Sequence, residues 1–216
     1  MGGRRGLRLP ELGPNPVSFR GSERSEHVAA GSIARVELGG GADSFGSSSN
    51  YYADQSPDPG VVEGGTGRDV YDVDTDDDVV VDLARRRVTF PDANYMDDLL
   101  LREFENVTAY AGRDRVEIRG DAGDNVIRAD ACRLTANGSG GDDRIISTAY
   151  ECWRGPSATL RGGPGDDLLR GAGTPDRLRG GPGRDRMFGR GGRDVAHGGD
   201  GRDVCAAELR RSCALP

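Results

Sequence analysis

Apolar residues recur every nine positions along the last third of the chain. They occupy the eighth place of five consecutive nine-residue units that fill residues 162–206: Leu169, Leu178, Met187, Ala196 and Cys205. The residues between them are mostly glycine or polar. A fixed period of this kind predicts a repeat architecture, in which stacked units bury a shared row of apolar side chains. The period also favours order over disorder, although the chain holds 35 glycines and is only 35% hydrophobic.

The polar positions of these units are as regular as the apolar ones. Each unit opens with glycine and has an aspartate at the sixth place: Asp167, Asp176, Asp185, Asp194 and Asp203. Three units contain the complete pattern G-G-x-G-x-D. The units beginning at Gly171 and Gly189 are weaker, because Ala172, Thr174 and Arg190 replace glycines. Upstream, Gly64–Asp72 is another complete unit, and three segments repeat the pattern less strictly: Ala111–Arg119, Gly120–Arg128 and Gly138–Ile146.

Other elements follow from local patterns. Val79–Leu83 and Val88–Phe90 predict two strands joined by a turn at Arg85–Arg87. Ala34–Phe45 predicts a first strand and turn. The polar, proline-containing start predicts a poorly ordered lead-in. The expected organisation is therefore a lead-in at 1–30, a degenerate repeat region with insertions at 31–161, regular repeats at 162–206 and a C-terminal cap at 207–216.

The nonapeptide G-G-x-G-x-D-x-U-x, in which U is apolar, resembles the repeat of the hemolysin-type (RTX) calcium-binding family. The resemblance implies an all-β fold, a right-handed parallel β-roll (a β-solenoid) with two nonapeptides per coil. It also implies that the glycine-aspartate part forms the turn and x-U-x a short strand with U inward. Glycines reach positive φ values that bare backbone carbonyls, and calcium takes six to eight oxygen ligands from carboxylates and carbonyls.

Eighteen residues per coil would place alternate units on one edge of the roll. We therefore expect two good Ca²⁺ sites, one between the Asp167 and Asp185 turns and one between the Asp185 and Asp203 turns. The predicted metal-binding residues are Gly162, Gly163, Gly165, Asp167, Gly180, Gly181, Gly183, Asp185, Gly198, Gly199, Gly201 and Asp203. A third site is possible between Gly120–Asn125 and Gly138–Asp143. The opposite edge should bind weakly or not at all.

The charge composition supports cation binding and also offers an alternative. The net charge is −7, which argues against a nucleic-acid partner. Aspartate outnumbers glutamate, as expected for turns and for ligation of hard cations. All 29 basic residues are arginine. Gly-Arg-Asp recurs at Arg68, Arg113, Arg184, Arg193 and Arg202, so arginine could pair with aspartate and stack the turns without metal.

Four cysteines, Cys132, Cys152, Cys205 and Cys213, indicate two disulfides and an oxidising, extracellular location. Three connectivities are possible, and we favour the nearest-neighbour pairs Cys132–Cys152 and Cys205–Cys213. Four reduced thiols are the alternative. No apolar run is long enough to insert into a membrane. No signal peptide is recognisable, so either the true start lies upstream or export takes another route.

No catalytic signature is present: the chain lacks H-E-x-x-H, G-x-S-x-G and a phosphate-binding loop. The prediction is a secreted, non-catalytic protein that binds calcium through stacked glycine and aspartate turns and folds as it does so. The alternative is a calcium-independent structural or adhesive β-solenoid at the cell surface. In a third reading, the chain is the repeat tail of a longer enzyme. The protein partner is not predicted.

Overall fold

A computed structural model describes residues 7–8, 17–29, 33–48, 60–91, 98–149, 152 and 158–213. These residues form an all-β structure, as expected. The strands are β1 Leu7–Arg8, β2 Val17–Ser22, β3 His27–Ala29, β4 Ile33–Gly41, β5 Ser44–Ser48, β6 Gly60–Glu63, β7 Thr66–Gly67, β8 Val70–Asp74, β9 Val79–Asp82, β10 Arg87–Thr89, β11 Leu99–Arg102, β12 Asn106–Arg119, β13 Val126–Asn137, β14 Arg144–Ser147, β15 Thr159–Arg161, β16 Leu168–Arg170, β17 Arg177–Gly183, β18 Arg186–Phe188, β19 Val195–Gly201, β20 Val204–Ala206 and β21 Leu209–Arg211. Within this part of the chain, no helix has the length and apolar character to span a membrane.

The strands pair in two series that alternate along the chain. In the first series, β14, β16, β18 and β20 are parallel neighbours. In the second series, β13, β15, β17, β19 and β21 are parallel neighbours. Leu160 is in register with Leu178, and Leu178 with Ala196, so the expected offset of eighteen residues is confirmed here. This mostly parallel pairing is consistent with the expected roll.

Each three-residue strand except β21 contributes a single apolar residue to the core. The first series buries one continuous row of side chains: Val28, Phe45, Tyr71, Val107, Ile127, Ile145, Leu169, Met187 and Cys205. In the second series Ala136, Leu160, Leu178 and Ala196 are buried in the same way. The residues on either side of each core residue are half-buried or exposed in β15 and β17. Burial of one Leu or Met contributes about 1.5–3 kcal/mol, so each unit has one main apolar anchor.

One segment departs from the parallel arrangement that the resemblance implied. β9 and β10 form the predicted pair of strands, and β10 runs antiparallel both to β9 and to β11. The connection after Asp82 has only four residues, and a turn this short permits only an antiparallel return. Asp82 accepts a hydrogen bond from the Arg85 main-chain N–H at 2.8 Å, and Arg86 takes a φ of 60°. The sheet is therefore mixed at this point.

The sheet also begins earlier than the predicted boundary at residue 31. β2 pairs with β4, and β3 pairs with β5, with Val28 fully buried beside Phe45. The segment that runs from residue 21 to residue 29 has the form of a repeat unit, with Glu26 at the sixth place and Val28 at the eighth. The sequence pattern does not identify this unit, because glutamate occupies the place of the aspartate.

Both nearest-neighbour disulfides, Cys132–Cys152 and Cys205–Cys213, are present. The first spans the segment where the nine-residue register breaks. Across that break Asn137 pairs with Arg161, an offset of 24 residues instead of eighteen. The second joins Cys205, the last residue of the buried row, to the chain that follows β21.

Replacing Leu160 by alanine removes one of the few large side chains of the second buried row. We expect the Leu160→Ala variant to lose about 2–5 kcal/mol of unfolding free energy, because a cavity remains where the side chain was. Thr159→Ala, at the half-buried neighbouring position, should change it by no more than about 0.5 kcal/mol. Urea denaturation in millimolar calcium measures both values. Equal losses in the two variants would contradict the assignment of Leu160 to the core.

Candidate metal centre

The sixth-place side chains form a chain of hydrogen bonds from turn to turn, which we call the first ladder. In it, the main-chain N–H of one sixth-place residue donates to a carboxylate oxygen in the following turn. Asp143 donates to Asp167 Oδ1 at 2.9 Å, Asp167 to Asp185 Oδ1 at 3.0 Å, and Asp185 to Asp203 Oδ1 at 3.0 Å. Each aspartate therefore orients the turn before its own.

The first ladder extends well upstream of the regular repeats. Glu26 donates to Asp43 Oδ1 at 2.7 Å, Asp43 to Asp69 Oδ1 at 2.8 Å, and Asp69 to Glu105 Oε2 at 2.8 Å. Asn125 then donates to Asp143 Oδ1 at 2.9 Å. The sequence separations of these pairs range from 17 to 36 residues. Between Glu105 and Asn125 the link is different, because the Asn125 Nδ2 donates to the Glu105 carbonyl at 2.9 Å. Elsewhere, loops of different length interrupt the chain without interrupting the ladder.

The glycines are required because neighbouring atoms occupy the space of a side chain. A Cβ atom on Gly162, Gly180 or Gly198 would clash with the Oδ2 atom of the aspartate in its own turn. The second and fourth glycines meet main-chain oxygens of the preceding turn instead. A Cβ on Gly181 would clash with the Gly163 carbonyl, and one on Gly183 with the Gly165 carbonyl. These four glycines have φ values of 127–145°, which favour glycine.

The gap between successive turns is therefore lined by oxygen atoms. Carbonyl oxygens of the second and fourth glycines face it from one turn, and the aspartate carboxylate enters it from the next. One carboxylate oxygen accepts the ladder hydrogen bond. The other is buried and has no hydrogen-bond partner in Asp43, Asp69, Asp143, Asp167, Asp185, Asp194 and Asp203. A row of buried, unpartnered carboxylate oxygens is the environment that a cation would satisfy.

Burial without a counter-charge shifts the titration of these groups. It raises the pKa of Asp143 and of Asp167 to about 7 in each case, and that of Asp185 to about 6. Hydrogen bonds from main-chain N–H groups oppose the pKa increase, and the next carboxylate of the ladder adds to it. Burial likewise raises the pKa of Asp43 and Asp69. In the metal-free turns, burial therefore destabilises the ionised form of these aspartates.

Arginine does not supply the missing charge. Among the described residues, no ion pair joins an arginine to a sixth-place aspartate; the pairs involve other carboxylates, such as Glu37, Glu63 and Asp82. Nor do three or more His, Cys, Asp or Glu side chains converge anywhere in the same residues. A cation in these gaps would therefore need main-chain carbonyl oxygens in addition to the aspartates. With these carbonyl oxygens as additional ligands, the turns fit calcium.

A second, shorter ladder runs along the other turns. Ala158 donates to Asp176 Oδ1 at 2.7 Å, Asp176 to Asp194 Oδ1 at 2.9 Å, and Asp194 to Glu208 Oε2 at 2.7 Å. Asp176 also accepts from the Ala172 N–H through Oδ2, at 2.7 Å, so both of its oxygens are satisfied. Arg190 stands at a second-glycine place with a φ of 77°. This edge has fewer unpartnered oxygens than the first ladder has.

The structure brings the twelve predicted metal-binding residues together as three stacked turns, which enclose the two predicted gaps. The turn that ends at Asn125 also stacks on the one that ends at Asp143. One gap was not expected from the sequence: the Asp143 turn stacks directly on the Asp167 turn, although 24 residues separate them. The Asp43 and Asp69 turns form a similar pair, in which Gly65 and Gly67 approach the Gly39 and Gly41 carbonyls. Only the spatial ladder, and not a fixed spacing, reveals these pairs.

The raised pKa values of Asp143, Asp167 and Asp185 predict that the calcium-free protein is most stable in mild acid. Below about pH 4 these groups are protonated in both the folded and the unfolded state. Between about pH 4 and pH 7 the unfolded chain releases these protons while the folded chain keeps them, so the free energy of unfolding falls as pH rises. Far-UV circular dichroism of metal-stripped protein should show more β structure at pH 5 than at pH 7.5. Asp167→Asn should reduce this difference, and β structure that increases with pH would contradict the assignment.

Comparison with known families agrees with this geometry. The family model of the RTX calcium-binding nonapeptide repeat, in four copies, matches residues 108–132, 158–174 and 171–205. The search of curated proteins gives no match. The matched segments contain the turns of Asp167, Asp185 and Asp203, whereas Asp43 and Asp69 lie outside them. Within residues 108–205, this chain therefore carries the calcium-binding nonapeptide repeats of the RTX family.

Proposed function

We propose that the protein is a secreted, non-catalytic calcium-binding protein whose right-handed β-roll is stabilised by ions held between stacked turns. The observation that carries this proposal is the row of buried carboxylate oxygens without hydrogen-bond partners, which includes Asp167, Asp185 and Asp203. These oxygens lie in turns whose glycines also expose carbonyl oxygens. The RTX repeats at the same positions support calcium as the cation.

Calcium would supply the positive charge that the aspartates lack. The carboxylates of Asp185 and Asp203 and the carbonyls of the glycines in the preceding turns would hold the ions in the two predicted gaps. The Asp143–Asp167 gap and the upstream Asp43–Asp69 gap offer similar donors. The ladder hydrogen bond would fix one carboxylate oxygen, so that the other faces the ion.

Binding of this kind is coupled to folding. In the unfolded chain the carbonyls and carboxylates of different turns are not held together, so calcium binds the folded state selectively. With a dissociation constant of about 10⁻⁴ M, as in extracellular modules, millimolar calcium adds roughly 1.4 kcal/mol per site. Several such sites would contribute much of a typical domain stability of about 5–15 kcal/mol.

The same features support an extracellular location. RTX repeats are typical of secreted proteins, and the disulfides Cys132–Cys152 and Cys205–Cys213 suit an oxidising compartment. Millimolar calcium is also an extracellular condition, and sites of this affinity belong there.

A calcium-independent solenoid is the second candidate, and one observation favours it. Asp176 of the second ladder has both oxygens hydrogen-bonded to main-chain N–H groups, so part of the stack is satisfied without metal. In that case the Arg-Asp pairs expected from the sequence would have to form in solution.

Calcium titration of metal-stripped protein distinguishes the two candidates. Far-UV circular dichroism should change from coil to β structure at about 0.1–1 mM calcium, with magnesium as the control ion. A spectrum that is already β-rich in EDTA and does not respond to calcium would rule out calcium-coupled folding.

The Asp185→Asn variant provides a sharper test, because it keeps the shape of the side chain and the oxygen that accepts the Asp167 N–H. We expect weaker calcium binding, because a charged ligand is lost. In the absence of calcium at pH 7.5, the same variant should be more stable than the wild type, because a buried, unpaired charge is removed.

Asp176→Asn is the matched control. It should leave the number of calcium ions bound at saturation unchanged and reduce the stability of the calcium-loaded protein by about 1–3 kcal/mol, because the Ala172 N–H loses its acceptor. If Asp185→Asn instead destabilised the metal-free protein while calcium binding persisted, the carboxylate would be structural.

A further inference from the structure

We propose that the outer face of β15, β17, β19 and β21 binds a linear anionic polysaccharide that bears a carboxylate or sulfate on its sugars. We call this surface the arginine face and define it by Arg161, Arg177, Arg179, His197 and Arg211. The four arginines are exposed and His197 is partly buried. The family-model match also spans Arg161, Arg177, Arg179 and His197, but the pattern G-G-x-G-x-D-x-U-x leaves the residue type at these strand positions unspecified.

The strand register brings these basic residues into a line. Arg161 is directly beside Arg179, Arg179 beside His197, and His197 beside Arg211. Neighbouring strands lie about 4.8 Å apart, so the line runs across the strands with one basic residue at each step. Arg177 lies two residues before Arg179 on the same strand, and its side chain therefore stands on the same face.

Farther upstream on the same line, carboxylates neutralise the charge of the arginines. There, acidic and basic residues alternate or pair: Arg20 with Glu37 at 3.6 Å, Arg102 with Glu63 at 3.0 Å, and Arg119 with Asp82 at 3.5 Å. In contrast, Arg161, Arg179 and Arg211 form no ion pair with any described residue. In the segments 159–161, 177–179, 195–197 and 209–211 of these strands, the outward positions hold no carboxylate; besides the basic residues they carry Thr159, Val195 and Leu209.

This arrangement works against the stability of the sheet. Like charges directly opposite each other on neighbouring strands are destabilising. The chain as a whole has a net charge of −7, yet its last four second-series strands present only positive charge on this face. An anionic partner that lies along the line would relieve the repulsion between Arg161 and Arg179.

The chemistry of the face selects the class of partner. A guanidinium group presents a planar fork of donors that matches carboxylate and sulfate groups. A line of such groups suits a linear polymer with regularly spaced anions. Nucleic acid is disfavoured because the outward positions of these strands contain no aromatic side chain on which bases could stack.

Binding of labelled heparin and polygalacturonate to the full chain, in millimolar calcium and about 50 mM salt, tests the proposal. We expect both to bind, and neutral dextran not to bind. Arg161→Ser combined with Arg179→Ser should weaken binding roughly 25-fold, at about fivefold for each arginine beside an anionic surface. The affinity of the variant should also depend less steeply on salt, because fewer ionic contacts remain.

Arg128→Ser combined with Arg186→Ser is the matched control, because it removes the same charge from exposed positions outside the arginine face, in the part of β13 that pairs with β14 and in β18. It should change binding by less than about twofold, since screened charges act over about 10 Å. Calcium-dependent circular dichroism establishes that both variants fold like the wild type.

Three results would overturn the proposal: no binding of either polysaccharide to the calcium-folded protein, equal losses in the two double variants, or tighter binding of an oligonucleotide through the same arginines. None of these results affects calcium binding by the turns, so this proposal and the calcium function fail separately.

Discussion

The hydrogen bond from a sixth-place main-chain N–H to the carboxylate of the next turn is the constraint on which the structure depends. It sets the distance between turns and uses one carboxylate oxygen. The other is left facing the first glycine, at Gly180 for example, where a side chain would not fit. The glycine pattern, the buried charge and the capacity for a cation therefore have one common origin. Asn125 differs from the aspartates, because its Oδ1 accepts from the Asp121 N–H of its own turn at 2.9 Å and its side chain brings no charge to the gap.

The sequence predicts the regular part of this arrangement well. The nine-residue period identifies the core residues Leu169, Leu178 and Met187, because only one inward side chain per unit can sustain it. The eighteen-residue offset predicts which turns stack, and the structure agrees in residues 159–206. The cysteine spacing led to the correct disulfide pairs. Each of these features follows from local patterns that repeat without interruption.

The parts that could not be predicted depend on contacts between residues separated by irregular loops. Asp143 and Asp167 are adjacent in space, yet 24 residues separate them, and no period reveals that contact. Glu105 serves the ladder with a longer side chain and Glu26 joins it through its main-chain N–H, so both fall outside the aspartate pattern. The arginine face could not be predicted from the sequence either. To recognise it, one must know which strands are neighbours and where the acidic residues lie on them. The net charge of the chain is −7, which does not suggest a basic surface.

The alternation of the two strand series restricts how such a protein can lengthen during evolution. Duplication of a single nonapeptide within residues 162–206 would move every later unit to the other series. Complete turns would then stack on weakened ones, and the basic strands would be divided between two faces. Duplication of two adjacent nonapeptides keeps every later unit in its own series and simply adds a coil. Growth by even numbers of units is thus the route that preserves both the turn chemistry and the outer faces.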